Sequence, residues 1–284
     1  MRTIKVCPGI GDNIWLLQKL VNAGEKFNFQ LPDGKPQRGK QIFDLLPSVA
    51  SNCEYAKIKT NMVESNNIQN RHKNWRDIKA KDFYLSANKH LEAGRRIENY
   101  LPDLPTSYRI DWDTEQYTIQ VANWLYLWKS SKQFIGLYGS SYSTSRAWGF
   151  WDEYKWLELA KMVFKHNPDS VFVVIGADWD LDLGFNLIKL LEAEGLPFLK
   201  VIGEELGLVI EIMKRLKYFF AFPSGLGILA PTVGCPVTMF YPKHLNLMMN
   251  AWAAPEDIET GRYKGCQFCE PEAIFNWAVE NKKI

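Results

Sequence analysis

Cysteine is scarce in this 284-residue chain: five residues, an odd number, far too few to cross-link so long a sequence. That excludes a small disulfide-built scaffold and suits a reducing compartment. No apolar run reaches the roughly 18 residues of a membrane span. The chain enters a strand pattern at Arg2 without the basic, apolar and small-residue succession of a secretory leader. A cytoplasmic protein is the expectation. Neither sign of charge dominates, the net being +2, so the overall balance names no partner. Internal repeats and low-complexity tracts are also missing, which excludes a repeat array. Of the cysteines, Cys7, Cys53 and Cys235 lie in or beside apolar segments and read as core thiols. Cys266-Gln267-Phe268-Cys269 is a single C-x-x-C with no second pair at zinc-finger spacing, so a metal site would need His244 or Cys235. Two ordinary thiols in a turn before the last helix are the simpler reading, with metal or redox chemistry as the alternative.

What is present is the composition of a globular protein, 46% apolar and 23% charged, with 11 Trp among 14% aromatic residues. The length suits two domains of roughly 100 to 150 residues each. Two glycine-rich turns stand some way apart, Pro8-Gly9-Ile10-Gly11-Asp12-Asn13 and Pro223-Ser224-Gly225-Leu226-Gly227. Each follows a strand pattern and opens a helical one, as Ile14, Leu16, Leu17 and Leu20 do after the first. Such turns let backbone approach a ligand and present free N–H groups and a helix dipole to negative charge.

Along the first half, extended segments at Arg2 to Val6, Lys26 to Leu31 and Glu54 to Ile58 alternate with helical ones at Ile14 to Leu20 and Gln41 to Val49. Residues 51–81 have no clear period. Leu91 to Leu101 reads as a helix stopped by Pro102, and Tyr117 to Trp128 as an apolar helix. Lys129 to Lys132 is the candidate linker, giving domains 1–130 and 131–270 and a terminal helix, 271–284, free to pack across both. In the second half continuous apolar strands at Phe134 to Tyr138, Val171 to Ile175, Phe198 to Ile202, Tyr218 to Phe222 and Val237 to Phe240 alternate with helices. That pattern predicts parallel sheets covered on both faces, an α/β fold of two Rossmann-like domains facing a central cleft.

Three blocks resemble one known family, the lipopolysaccharide heptosyltransferases and their relatives in glycosyltransferase family 9. They are Pro8 to Asn13, like the family's G-x-G-D turn; Leu137 to Arg146 with the W-x-x-x-x-W-x-x-L stretch Trp151 to Leu159; and Tyr218 to Phe240, like its strand, S/T-G turn and strand. They span nearly the whole chain in the family's order. The resemblance implies a GT-B fold, a nucleoside-diphosphate sugar as donor, and inverting transfer without a metal or other cofactor. The chain departs from the family at Pro223, where an Asp is usual, at Ile228, where a His is usual, and at Gly149, where a Lys is common. The donor's sugar and base therefore stay open, as does the acceptor: a saccharide, a lipid-saccharide or a modified base in DNA.

Glycosyl transfer needs a base for the acceptor hydroxyl, and Asp12 has that role by resemblance, its alternative being an ordinary helix N-cap. Gly9, Gly11, Asn13, His90 and Glu92 are acceptor-side candidates, the histidine with a purely structural alternative. The departing diphosphate needs an anion hole, for which Ser224, Gly225, Leu226 and Gly227 offer backbone N–H groups and a hydroxyl. Ser140, Ser141, Ser143 and Thr144 add hydroxyls, and Arg146 a guanidinium suited to phosphate. Gly176, Asp178, Gly203, Glu204 and Glu205 follow strands, where the nucleoside of a donor would lie. Asp178, Asp180 and Asp182 read as the acidic first turn of a helix, with a metal cluster as the alternative. Between Lys57 and Arg96 bases outnumber acids, a solvated face or a contact with a phosphorylated acceptor. From a different class comes a non-catalytic nucleotide-sugar-binding module. An oxidoreductase reading of Gly9-Ile10-Gly11 fails at Ile14, where a third glycine would be required.

Overall fold

The computed structural model describes residues 2–7, 9–32, 38–56, 86–128, 132–139, 151–177 and 181–284. The chain divides into two compact units. Residues 1–113 and 247–254 make the first, residues 114–246 and 255–284 the second.

The first unit is built on a parallel three-stranded sheet of order β1-β2-β3, with β1 Arg2–Lys5, β2 Phe27–Pro32 and β3 Ala50–Ala56. Helix α1, Ile10–Leu20, is buried over most of its surface, which is why it reads apolar at nearly every turn. Its Lys19 is buried as well, and Nζ donates to the Glu98 carbonyl at 3.1 Å and the Thr106 hydroxyl at 2.9 Å. Helix α2, Arg38–Asp44, covers the sheet by stacking Phe43 on Phe29, ring centroids 4.2 Å apart. The expected helix Leu91 to Leu101 is instead a short α3, Asn88–Glu92, and a 3₁₀ turn, Ile97–Asn99. Gly94, at φ +73°, breaks it, since a residue in the left-handed region ends a helix. Segment 247–254 joins this unit through Trp252, whose ring lies 6.1 Å from that of Trp15. Arg96 clamps the segment, donating to the Ala253 carbonyl at 3.0 Å and to that of Asn250 while paired with Glu98 at 2.7 Å. This member of the expected basic face is thus a structural residue; positions 57–85 lie outside the described residues.

The second unit has a six-stranded, wholly parallel sheet of order β6-β5-β4-β7-β8-β9. The strands are β4 Gln133–Tyr138, β5 Ser170–Gly176, β6 Phe198–Ile202, β7 Tyr218–Ala221, β8 Val237–Tyr241 and β9 Tyr263–Gln267. Strands β5, β7 and β8 are buried at every residue, as continuous apolar runs require when helices cover both faces. The covering helices are α4 Thr118–Tyr126, α5 Glu153–His166, α6 Leu181–Ala193, α7 Leu206–Met213, α8 Gly225–Thr232, α9 Pro255–Glu259 and α10 Pro271–Glu280. The parallel α/β class agrees with the sequence reading. The division near 113 differs from the expected boundary at 130. Helix α4 packs on α7, and Thr114 donates to Glu211 at 2.5 Å, so this segment's partners belong to the second unit. The terminal helix α10 packs on α5 of the same unit. Strand β9, absent from the sequence reading, adds a sixth strand at the edge.

Candidate functional site

Asp12 is the third residue of α1, whose N-cap is Gly9 without any side-chain cap. The capping alternative for Asp12 is therefore not what the carboxylate does. Its Oδ1 accepts a hydrogen bond from the Ser86 hydroxyl at 2.7 Å, and a β-carbon on Gly9 would come 3.0 Å from its Oδ2. Glycine at position 9 thus makes room for the carboxylate. Burial pushes the Asp12 pKa up, the Ser86 bond opposes that rise, and the Glu92 charge adds to it. Ser86 itself is braced by the Asn88 N–H at 3.2 Å. Beside this pair, Cys7 is pushed up to about 12, first by burial and then by the Asp12 charge. Among the described residues the fully buried Tyr100 hydroxyl has no hydrogen-bond partner, and burial first, then the neighbouring Cys7 and Asp12, push its pKa up. A half-buried carboxylate with a raised proton affinity and one hydroxyl donor is equipped to take a proton from an incoming group.

The other acceptor-side candidates separate. Gly11 and Asn13 are buried in α1, and Asn13 Nδ2 donates to the Cys7 carbonyl at 3.0 Å, fixing the turn that leads to Asp12. Glu92 accepts from Asn88 at 2.9 Å and pairs with Lys89 at 3.4 Å, so it reaches Asp12 by charge alone. His90 is 3% exposed, its Nε2 lies 2.8 Å from the Arg96 carbonyl, and burial lowers its pKa. These contacts hold His90 in the packing of the first unit. Ser86 was missed by sequence reading, since a lone serine after an aperiodic stretch carries no local signal.

In the second unit the chain runs from β4 outward through β5 to β6, then returns to the other side of β4 as β7, β8 and β9. The strand order therefore reverses between β4 and β7, the position where open α/β sheets bind ligands beyond the strand ends. The Ser224 turn follows β7 at that edge. Ser224 is the N-cap of α8, yet its hydroxyl does not cap; it donates to the Tyr138 hydroxyl at 2.7 Å, at the end of β4. The first N–H groups of α8, from Gly225 onward, have no intrahelical acceptor by the geometry of any helix start, and they point with the helix dipole toward an anion. Leu226 is buried and contributes only backbone. Gly227 answers to packing: a β-carbon there would run into the Phe222 carbonyl oxygen. Ser140, Ser141, Ser143, Thr144 and Arg146 lie outside the described residues, as do Asp178 and Asp180.

Gly176 ends β5 and Gly203 follows the adjacent strand β6, and the Gly203 N–H donates to the Gly176 carbonyl at 3.1 Å. Gly203 has φ +84°, a conformation that excludes most other residues. Glu204 and Glu205 lead into α7, where Glu205 accepts from the Tyr117 hydroxyl at 2.8 Å. The predicted diphosphate and nucleoside residues that are described thus share one carboxyl edge of one sheet. Among the described residues no group of three His, Cys, Asp or Glu side chains is arranged to hold a metal ion. No helix among them is long and apolar enough to cross a membrane.

No protein-family model and no curated protein sequence matches the chain. Solved structures do match it in fold. ADP-heptose lipopolysaccharide heptosyltransferase II of E. coli is 14% identical at a TM-score of 0.65, over 99% of this chain and 98% of that one. A glycosyl transferase family 9 protein of Veillonella parvula is 13% identical at 0.63, over 100% of this chain and 89% of that one. The E. coli heptosyltransferase WaaC, solved with ADP, is 11% identical at 0.61, over 99% of this chain and 100% of that one. The chain has the fold of these glycosyltransferases.

Proposed function

We propose that the protein is a glycosyltransferase that moves a sugar from a nucleoside-diphosphate donor to an acceptor hydroxyl, with inversion and without a metal. The observation that carries this reading is the uncapped start of α8 at the strand-order reversal, with Gly176 and Gly203 along the same edge. In this reading the nucleoside lies at the ends of β5 and β6, and the diphosphate at α8. The α8 N–H groups stabilise the charge that grows on the leaving diphosphate. Arg146, Ser140, Ser141, Ser143 and Thr144 are proposed to complete that shell. Asp12 takes the acceptor proton as the new carbon–oxygen bond forms.

The likeness to WaaC, which was solved with ADP, supports an adenine nucleotide as the first donor to try. The raised proton affinity of Asp12 and its single hydroxyl donor favour this enzyme over a binding module, which has little use for a desolvated carboxylate. Thermal shift against ADP, UDP, GDP and their sugars tests the donor edge, because a ligand of the folded state raises the melting temperature. Product analysis with saccharide, lipid-saccharide and hydroxylated DNA acceptors then tests transfer, with and without excess EDTA. Stabilisation by no nucleotide refutes the donor reading; transfer abolished by EDTA and restored by Mg²⁺ refutes the metal-independent one.

A further inference from the structure

The C-x-x-C segment leaves β9 at the carboxyl edge that carries the donor residues. Cys266 is the fourth residue of β9, and Cys269 stands two residues before Pro271, the first of α10. Both are free thiols, partly exposed; the Cys266 thiol donates to the Met239 carbonyl at 3.6 Å, and the two thiols are near enough to act on each other's titration. Their mutual interaction, more than any charge, holds the Cys269 thiol down and pushes the Cys266 thiol up. The other three cysteines lack this pairing: Cys7, Cys53 and Cys235 are all raised by burial.

The loop between the two thiols touches both sides of the donor edge. The Cys269 carbonyl accepts the Trp151 indole N–H at 2.8 Å, and Trp151 begins the segment that leads into α5. The Phe268 ring packs edge-on against Phe222 at 5.6 Å, and Phe222 leads into the Ser224 turn. The Phe268 N–H is tied to the Tyr241 carbonyl at the end of β8. Closing a disulfide across this loop draws the two β-carbons to about 3.5–4.5 Å of each other. Phe268 and the Cys269 carbonyl lie on the short path between them, so a bond that fixes both ends of the loop acts on these two contacts.

We propose that Cys266 and Cys269 are a reversible dithiol–disulfide couple that adjusts the donor-binding edge, an inference that rests on the donor reading of that edge. The oxidant is a low-molecular-weight disulfide. The Cys269 thiolate attacks one of its sulfurs; that S–S bond breaks, and the departing thiolate takes up a proton. Cys266 then loses its proton and attacks the Cys269 sulfur, forming the internal disulfide and releasing the second thiol. Two electrons pass from the protein to the oxidant, and a dithiol reductant reverses both steps.

The test uses the full chain in mixtures of reduced and oxidised glutathione, quenched by alkylation and mapped by peptide mass, with ADP, UDP and GDP affinities measured in the same mixtures. The expected result is a Cys266–Cys269 disulfide, glutathione trapped on Cys269 in Cys266→Ser, and neither product in Cys269→Ser. Affinity for the nucleotide that binds reduced wild type is expected to change by about tenfold on oxidation, or 1.4 kcal/mol, to return with dithiothreitol, and to stay constant in the double Ser variant. Absence of the disulfide at every ratio, or a disulfide that leaves affinity unchanged, overturns the proposal. If reduced wild type binds none of the nucleotides, the donor reading falls and takes the affinity effect with it, while peptide mapping still judges the thiol couple by itself.

Discussion

The Asp12 region and the α8 region attract different chemistry because they are made of different material. In the proposed reading Asp12 works among side chains held against their solvation preference: a desolvated carboxylate, a thiol pushed up to about 12 and a buried tyrosine hydroxyl with no partner among the described residues. Such groups cost stability and persist where they are used. In the same reading α8 offers its backbone, and the neighbouring side chains are apolar or small. A backbone site at a strand-order reversal comes with the topology and needs little from residue identity. In the proposed reading, Pro223 and Ile228, standing where the resembled family has Asp and His, leave that backbone site in place. The same difference predicts that substitutions near Asp12 change rate and pH dependence, whereas substitutions at α8 change binding and folding.

The largest effect is expected from Asp12→Asn, which should lower transfer by at least about 100-fold while leaving nucleotide affinity near wild type. Steady-state kinetics with a separate binding measurement check this; equal loss of both would erase the contrast between the regions. The variant should also melt higher at neutral pH. Asp12 holds its proton more tightly folded than unfolded, so its penalty is absent below the unfolded value and grows as pH rises through the raised folded value. The gap in melting temperature between variant and wild type should therefore close in acid.

Next is Gly227→Ala, whose new methyl meets the Phe222 carbonyl and should cost about 1–3 kcal/mol of stability. Urea unfolding measures it, and nucleotide affinity should weaken in the folded fraction because the start of α8 must tilt. An unchanged midpoint would mean that α8 is not seated on β7 as described. Ser86→Ala removes the hydroxyl that favours the Asp12 carboxylate, so the acid limb of the rate profile should move to higher pH. A limb that stays put would detach Ser86 from the base. The smallest effect is expected from Tyr117→Phe, which removes only the bond to Glu205 and should cost about 0.5–1.5 kcal/mol with no change in rate.

Much of the second unit was legible before folding, because strands such as Val171 to Ile175 and Phe198 to Ile202 are apolar runs between amphipathic helices, and a local period reports a local element. Strand β9 was not, since Tyr-Lys-Gly-Cys-Gln has neither an apolar run nor alternation and is a strand only by pairing with β8. The helix expected over Leu91 to Leu101 failed for a similar reason. Its apolar spacing was genuine, but Leu91, Ile97 and Leu101 are buried from separate short turns broken at Gly94.

For this protein the sequence by itself determined the α/β class, the two glycine turns and the carboxylate that follows the first. Those depend on residue type and on neighbours within a turn or two. Tertiary structure alone decided that Ser86, 74 positions from Asp12, donates to it; that Ser224 turns its hydroxyl to Tyr138 instead of capping α8; and that residues 247–254 belong to the first unit. The physical reason is common to all three. Hydrogen bonds and burial between distant segments are set by which surfaces meet once the chain is closed, and no periodicity along the chain encodes that meeting.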